Sequence, residues 1–275
     1  MSIRLDDQLP IDKTLVEAID KNIATEIGHK QNIPRTIIQT NENSKIPTDM
    51  ATAIQNLIDL NPTYDYIYFD DRKSREFIKE HFSPRVLKSY DTIVPGAYKA
   101  DLFRYCVLYE KGGVYVDTGM VALSSLDDII LPTDLFVSPE DNGLGGIYNA
   151  FMCAVPGHPI IKMAIDMCVE NIEKKRYMTD RSRSTLRITG PLLLADAFEQ
   201  VLKEKAVPNK DYGNGVRLLQ FYCNEESKCA SGELFSGDNV AFYSKYPTYH
   251  LDKKWYNTKP SYGKMWADRK VFGEK

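Results

Sequence analysis

The 275-residue sequence predicts one α/β domain in which helices cover a mostly parallel sheet, flanked by an N-terminal helix and a C-terminal flap. Three observations carry that expectation. Strand-like and helix-like stretches alternate along most of the chain, and parallel strands need crossover helices of that kind. Hydrophobic residues make up 43% and charged residues 27%, the balance of a chain able to bury a core. From about Asn209 the pattern weakens into short strands, glycines and aromatics, so 209–275 reads as a flap region and not as a second domain.

Taken in order, Leu15 to Ile27 carries apolar residues at helical spacing, which predicts a helical extension over 1–32. Pro34 then introduces Thr36-Ile37-Ile38, a β-rich first strand opening a core that runs from 33 to 195. Pro47 and Thr48 begin a helix through Ile54, Leu57 and Leu60, closed by Asn61-Pro62. Tyr64 to Phe69 is aromatic and suits a strand, and Asp70 to Phe82 a helix. Beyond Pro84 and Pro95, Tyr98 to Glu110 is helical and ends at Lys111-Gly112-Gly113, where a glycine suits the cap. Val114-Tyr115-Val116, Leu135 to Val137 and Tyr148 to Val155 are further strands, followed by helices from Pro159 to Glu173 and Pro191 to Leu202.

Composition excludes several classes of function. Thirty-five basic against 38 acidic residues leave a net charge of −3, no footprint for nucleic acid or an anionic membrane. No apolar run approaches the roughly 20 residues that span a bilayer. The first residues, Met-Ser-Ile-Arg-Leu-Asp-Asp, are polar and acidic where an export signal needs a basic start and an apolar core, so the expectation is a cytoplasmic protein. Cys106, Cys153, Cys168, Cys223 and Cys229 are odd in number and scattered, which predicts neither a disulfide framework nor a zinc site, with Cys106 and Cys153 as small core residues.

The residues best placed for chemistry are Ala100-Asp-Leu-Phe-Arg-Tyr105 and Glu110-Lys-Gly-Gly-Val-Tyr-Val-Asp-Thr-Gly119. On a helix Asp101, Arg104 and Tyr105 share one side. Asp117 falls at the carboxyl end of a strand, where ligands bind in open α/β sheets. Cleaving the sugar bond of a nucleotide-sugar builds negative charge on a diphosphate, which a divalent cation on carboxylate oxygens, helped by an arginine, stabilises. Hard oxygen ligands favour Mn2+ or Mg2+.

This pattern resembles the glycosyltransferase sugar-binding family with an Asp-x-Asp motif, which includes yeast α-1,6-mannosyltransferases and capsular polysaccharide transferases. Ala100 to Thr118 carries the match. Ile33-Pro-Arg-Thr-Ile-Ile-Gln39, Tyr68-Phe-Asp-Asp71, Asn149-Ala-Phe, Gly157-His-Pro159 and Thr189-Gly-Pro191 support it. The resemblance implies a GT-A-like fold and a retaining, metal-dependent hexosyltransferase that moves sugar from a UDP- or GDP-sugar to a glycan or other hydroxyl acceptor in polysaccharide biosynthesis. It implies Asp117 and Asn149 as catalytic, with Asn149 beside the anomeric carbon. Donor binding would fall to Gln39, Thr40, Tyr98, Asp101, Arg104, Tyr105, Gly113, Thr118 and Trp266, and metal binding to Asp117, His250 and Ser261.

The sequence departs from that family in three places. Gly119 stands where the motif has its second aspartate, which opens the alternative of a weak or inactive nucleotide-sugar or glycan-binding relative. The aromatic residue that follows the first strand is replaced near Asn41, leaving Tyr66 or Tyr98 to stack on the base. Near the C-terminus, His250 with Trp255 and Ser261 with Trp266 both fit the family's closing residues. Asp117-Thr-Gly119 is also the aspartic-protease signature, but that chemistry needs two carboxylates sharing a proton and only one copy is present. Gly143-Leu-Gly-Gly146 lacks the later glycine and helix of a dinucleotide loop. His158 reads as a helix-entry residue, and Arg181, Arg183 and Arg187 as a solvated basic loop.

Overall fold

The computed structural model describes residues 13–21, 31–142, 145–177, 184–223, 232–257 and 259–273. Its first elements are β1 (Leu15–Glu17), β2 (Thr36–Thr40), β3 (Lys45–Pro47), α1 (Thr48–Leu60), β4 (Asp65–Phe69), α2 (Asp71–His81) and α3 (Pro84–Thr92). The motif region supplies α4 (Gly96–Lys111), β5 (Gly113–Val116) and β6 (Val121–Ala122). There follow β7 (Phe136–Asn142), β8 (Gly146–Ile147), β9 (Phe151–Ala154), α5 (Pro159–Glu173) and α6 (Pro191–Leu202). The last quarter contains β10 (Lys210–Asp211), β11 (Val216–Cys223), β12 (Gly232–Ser236), β13 (Asn239–Tyr243), α7 (Tyr249–Tyr256) and α8 (Tyr262–Ala267).

One sheet runs in the order β4-β2-β5-β9-β7-β11-β12-β13-β6. The α/β class is as the sequence predicts. The sheet is mixed, however, where a mostly parallel one is expected. β4, β2 and β5 are parallel, as are β7 and β11, but β9 lies antiparallel between β5 and β7. The cause is local: β9 follows β7 through the short β8 segment, with no crossover helix between them to restore direction.

Alternation along the strands divides the core into two clusters. Ile38, Tyr115, Met152, Phe136 and Leu218 face the layer of α2 to α6, while Ile37, Val114, Val116, Phe151 and Val137 face α1 and the loops beyond β6. The junction of α4 with β5 requires both of its glycines. Gly112 and Gly113 have φ of 66° and 103°, and a Cβ would stand 2.6 Å from Pro156 Cδ at the first and 2.6 Å from the Thr36 carbonyl oxygen at the second.

Two further expectations need correction. Residues 15–17 form a strand on β3 where a helix is expected, and Lys21 bridges to Tyr66 while Asp20 accepts from the Tyr68 amide at 2.7 Å. The reason is that β4 is an edge strand whose open backbone groups are met by this segment; 22–30 lie outside the described residues. α3 is a helix with Pro84 at its first turn, a position where the missing amide costs nothing. Cys223, at the end of β11, is disulfide-bonded, contrary to the expectation of no disulfide; Cys106, Cys153 and Cys168 are buried free thiols. Of 209–275, β10 to β13 extend the sheet, and only the segment after β13 lies across the site. No described helix is long and apolar enough to cross a membrane.

His158 does cap α5, its Nδ1 accepting from the Ile160 amide at 3.3 Å, and its ring stacks on Phe136 at 5.2 Å. Glu140 on β7 is buried, and its Oε2 has no hydrogen-bond partner among the described residues. Burial, with a smaller contribution from the neighbouring Asp141, pushes the Glu140 carboxyl up to about 7. The folded protein therefore holds a proton there that the unfolded chain releases at the ordinary carboxyl value. Stability from this group is present at acid pH and lost as pH rises towards 7. Glu140→Gln is expected to raise the melting temperature at pH 8 and to leave it nearly unchanged at pH 4.5, in paired thermal scans.

Candidate active site

The carboxyl ends of β2 and β5 open onto a cavity of about 360 Å3, walled on the far side by residues between Ser244 and Met265. Asp117, Thr118 and Gly119 form its floor directly after β5. Asp117 is held by its backbone. Its amide donates to the Ala150 carbonyl at 2.8 Å, and its carbonyl accepts from the Met120 amide at 3.0 Å and the Gln39 side-chain amide at 3.3 Å. Its carboxylate, 42% exposed, accepts from the Tyr115 hydroxyl at 2.9 Å and lies 3.3 Å from Arg104 Nη2.

Arg104 is buried behind it and is the one member of the Asp101, Arg104 and Tyr105 trio that reaches the cavity wall. Its Nη1 donates to the Asn149 carbonyl at 2.5 Å, its Nε donates to Ala100 at 3.2 Å, and the guanidinium carbon sits 4.5 Å from the centre of the Tyr115 ring. Burial alone would lower its affinity for its proton, but Asp117, Tyr115 and Asp101 outweigh burial and hold it above the ordinary value.

Asp101 faces inward. One carboxylate oxygen accepts from Asn149 Nδ2 at 2.9 Å and the other from the Thr189 hydroxyl at 2.8 Å, with Arg104 Nη2 3.5 Å away. Burial pushes this carboxyl up, against the opposing pull of Arg104 and Thr189. Tyr105 donates to the Thr189 carbonyl at 2.9 Å and accepts from Asn149 Nδ2 at 3.0 Å. Asp101, Tyr105 and Asn149 thus form a buried network that positions Arg104, and none of the three lines the cavity.

The other expected donor and metal residues divide in the same way. Thr40, Thr118 and Ser261 line the cavity with Asp117. Gln39 is buried behind it, accepting from the Tyr66 hydroxyl at 2.8 Å, and Gly113 packs on Thr36. Tyr98 donates to the Thr185 carbonyl at 2.8 Å and Trp266 to the Tyr177 carbonyl at 3.0 Å, and neither lines the cavity. His250 is also off the lining, its ring 5.4 Å from that of Tyr249. Tyr66 and Tyr98 are too buried to stack on a base. Arg187 pairs with Asp196 at 2.6 Å, while Arg181, Arg183, Gly143 and Leu144 lie outside the described residues.

Tyr249, Asp252, Lys253 and Tyr256 are among the lining residues that the motif reading misses. Their spacing of three, four and seven puts them on one face of α7, a helical period that a shortage of apolar residues concealed. Burial, then the Asp117 carboxylate, pushes the Tyr249 hydroxyl up to about 12. Lys245 is lowered by burial and by Lys253, with Asp117 opposing. The φ of Gly119 is not positive, yet a Cβ there would stand 2.8 Å from Tyr249 Cε2. The tyrosine ring fills the space next to the motif's third position. Among the described residues no three His, Cys, Asp or Glu side chains are grouped to hold an ion. A divalent cation would find a single motif carboxylate and a lysine nearby, so the residues present do not fit a self-sufficient metal centre.

The two aspartates should therefore separate in denaturant titrations. Asp101→Ala strips a buried guanidinium, an amide and a hydroxyl of a shared partner and should cost about 3 kcal/mol or more. Asp117→Ala, at a half-exposed site where Arg104 keeps Asp101 and two carbonyls, should cost clearly less than Asp101→Ala. Equal losses would show that the inward network does not have the structural role given to it.

Residues 47–136 match the family described as "Glycosyltransferase sugar-binding region containing DXD motif". The chain is 28% identical to inositol phosphoceramide mannosyltransferase 2 of Schizosaccharomyces pombe over 266 residues, 96% of this chain and 70% of that protein. It is 32% identical to mannosyl phosphorylinositol ceramide synthase SUR1 of Saccharomyces cerevisiae over 217 residues, 77% of this chain and 53% of that one. The chain thus spans from about half to seven tenths of these relatives' lengths. A solved structure described as PaToxG Glycosyltransferase covers 63% of this chain and 70% of its own, at 14% identity and a TM-score of 0.49. The matched region begins at α1, runs through α4 and β5 and ends at β7, so it contains Asp101, Arg104 and Asp117, and this part of the chain is similar to the DXD-motif glycosyltransferases with a glycine in the motif's third position.

Proposed function

We propose that the chain transfers a mannosyl residue, with retention, from a UDP- or GDP-linked donor to a hydroxyl acceptor, either a glycan or an inositol-phosphate head group. The observation that carries this reading is Asp117, a carboxylate presented at the end of β5 into a cavity with a buried arginine directly behind it. The names of the yeast relatives support mannose as the sugar and a phosphorylated inositol as one acceptor. Retention follows from the family resemblance.

In this reading Asp117 accepts hydrogen bonds from donor hydroxyls, and Arg104 offsets its charge so that an anionic donor is not driven away. Asn149 acts through Arg104, since its side chain is committed to Asp101 and Tyr105. Thr40, Thr118 and Ser261 offer hydroxyls from the floor and the opposite wall. The Mn2+ or Mg2+ that the family motif implies has no step here, because the donor set does not fit it.

A second reading, a binding relative without turnover, is favoured by Gly119 and by the ring that packs against it. Incubation with UDP-mannose and GDP-mannose, with a mannosyl glycan and an inositol-phosphate lipid as acceptors, decides between them. Product should form with one donor, and Asp117→Ala should lower the rate about a hundredfold or more while remaining folded. Donor binding without product from either donor would favour the second reading.

A further inference from the structure

Two ammonium groups stand near the ring that packs against Gly119, the motif's third position. Lys245 Nζ is 5.4 Å and Lys253 Nζ 5.9 Å from the centre of the Tyr249 ring, and that ring packs against Gly119. Both lysines line the cavity that Asp117 and Arg104 line. They reach it from different elements, Lys245 from the turn after β13 and Lys253 from one turn along α7. The turn is fixed to the motif by the Tyr246 amide, which donates to the Gly119 carbonyl at 2.8 Å.

We propose that Lys245 and Lys253 bind the diphosphate of the nucleotide-sugar and supply the positive charge for which the motif elsewhere uses a second carboxylate and its ion. This rests on the donor proposed above. Two like charges held near one ring repel each other, and a diphosphate between them relieves that repulsion while accepting hydrogen bonds from both. In the transfer, the bond from the anomeric carbon to the diphosphate oxygen breaks and its electron pair stays on that oxygen. The acceptor oxygen forms the new bond to carbon, and its proton passes to the released diphosphate. The lysines gain and lose no proton. They stabilise the charge that grows on the leaving group.

The test is calorimetric titration of GDP, GMP, UDP and UMP into the full chain, in EDTA and again in manganese. Wild type in EDTA should bind one diphosphate about tenfold or more tightly than its monophosphate, as ionic hydrogen bonds to the added phosphate require. Lys245→Met with Lys253→Met, which keeps the side-chain stems, should abolish that preference. Lys245→Arg with Lys253→Arg should restore most of it. A preference that appears only with manganese, or that survives in the methionine variant, overturns the lysine assignment while leaving the donor reading intact. Failure of every nucleotide to bind in either condition overturns the donor reading, and the assignment with it.

Discussion

The site depends on burying one guanidinium. Arg104 sits in the interior at the junction of α4, the end of β5 and the turn before β9, and it bonds or pairs with a group from each. Desolvating such a charge costs several kcal/mol per ion unless its environment answers it, and here two carboxylates, two carbonyls and an aromatic face do so. The arrangement also explains why Asp101 cannot serve as a ligand-facing acid. Its oxygens are committed to Thr189 and Asn149, which in turn fix the carbonyl that receives Arg104. Rigidity of this kind is what an active site needs, because a small loss of position costs much of the electrostatic benefit of a prearranged charge.

What was legible in the sequence follows the range over which each constraint acts. Asp101, Arg104 and Tyr105 sit one helical turn apart, and Gly112-Gly113 must end that helix, so local rules put the three on one helix side and Asp117 at the end of the next strand; the 3.3 Å contact of Asp117 with Arg104 is set by the fold. The same rules put Asp101 and Arg104 on one side of α4 but could not say which of them reaches the cavity. That choice belongs to Thr189, eighty-eight residues away along the chain from Asp101. Tyr98 and Trp266 went astray for the same reason, since each finds a distant carbonyl to satisfy and turns its ring into the core. The direction of β9 was not legible, because a run of apolar residues carries no sign of which way it enters a sheet. The face of α7 was legible in principle, but a helix whose informative residues are tyrosines and lysines has no apolar stripe to announce it.

The loss of a motif carboxylate has two readings, decay or exchange, and the surroundings of Gly119 bear on them. A position vacated by drift would be expected to open onto solvent or a void. Here a tyrosine ring, itself flanked by two lysines, packs closely against the glycine. The neighbourhood carries positive charge beside the position where the motif has a negative one, on residues that come from the turn after β13 and from α7.

β6 and β13 are the outermost pair in the sheet order, with Val121 opposite Tyr243. Short as it is, this pairing joins the strand that follows the motif to the strand that precedes the opposite wall, and the Tyr246 bond to Gly119 continues it for one more step. Mechanically, the two sides of the cavity are riveted along their base. A hinge at β13 would have to break these bonds, each contributing about 1 kcal/mol. Asp117 and the root of the opposite wall therefore keep a fixed separation.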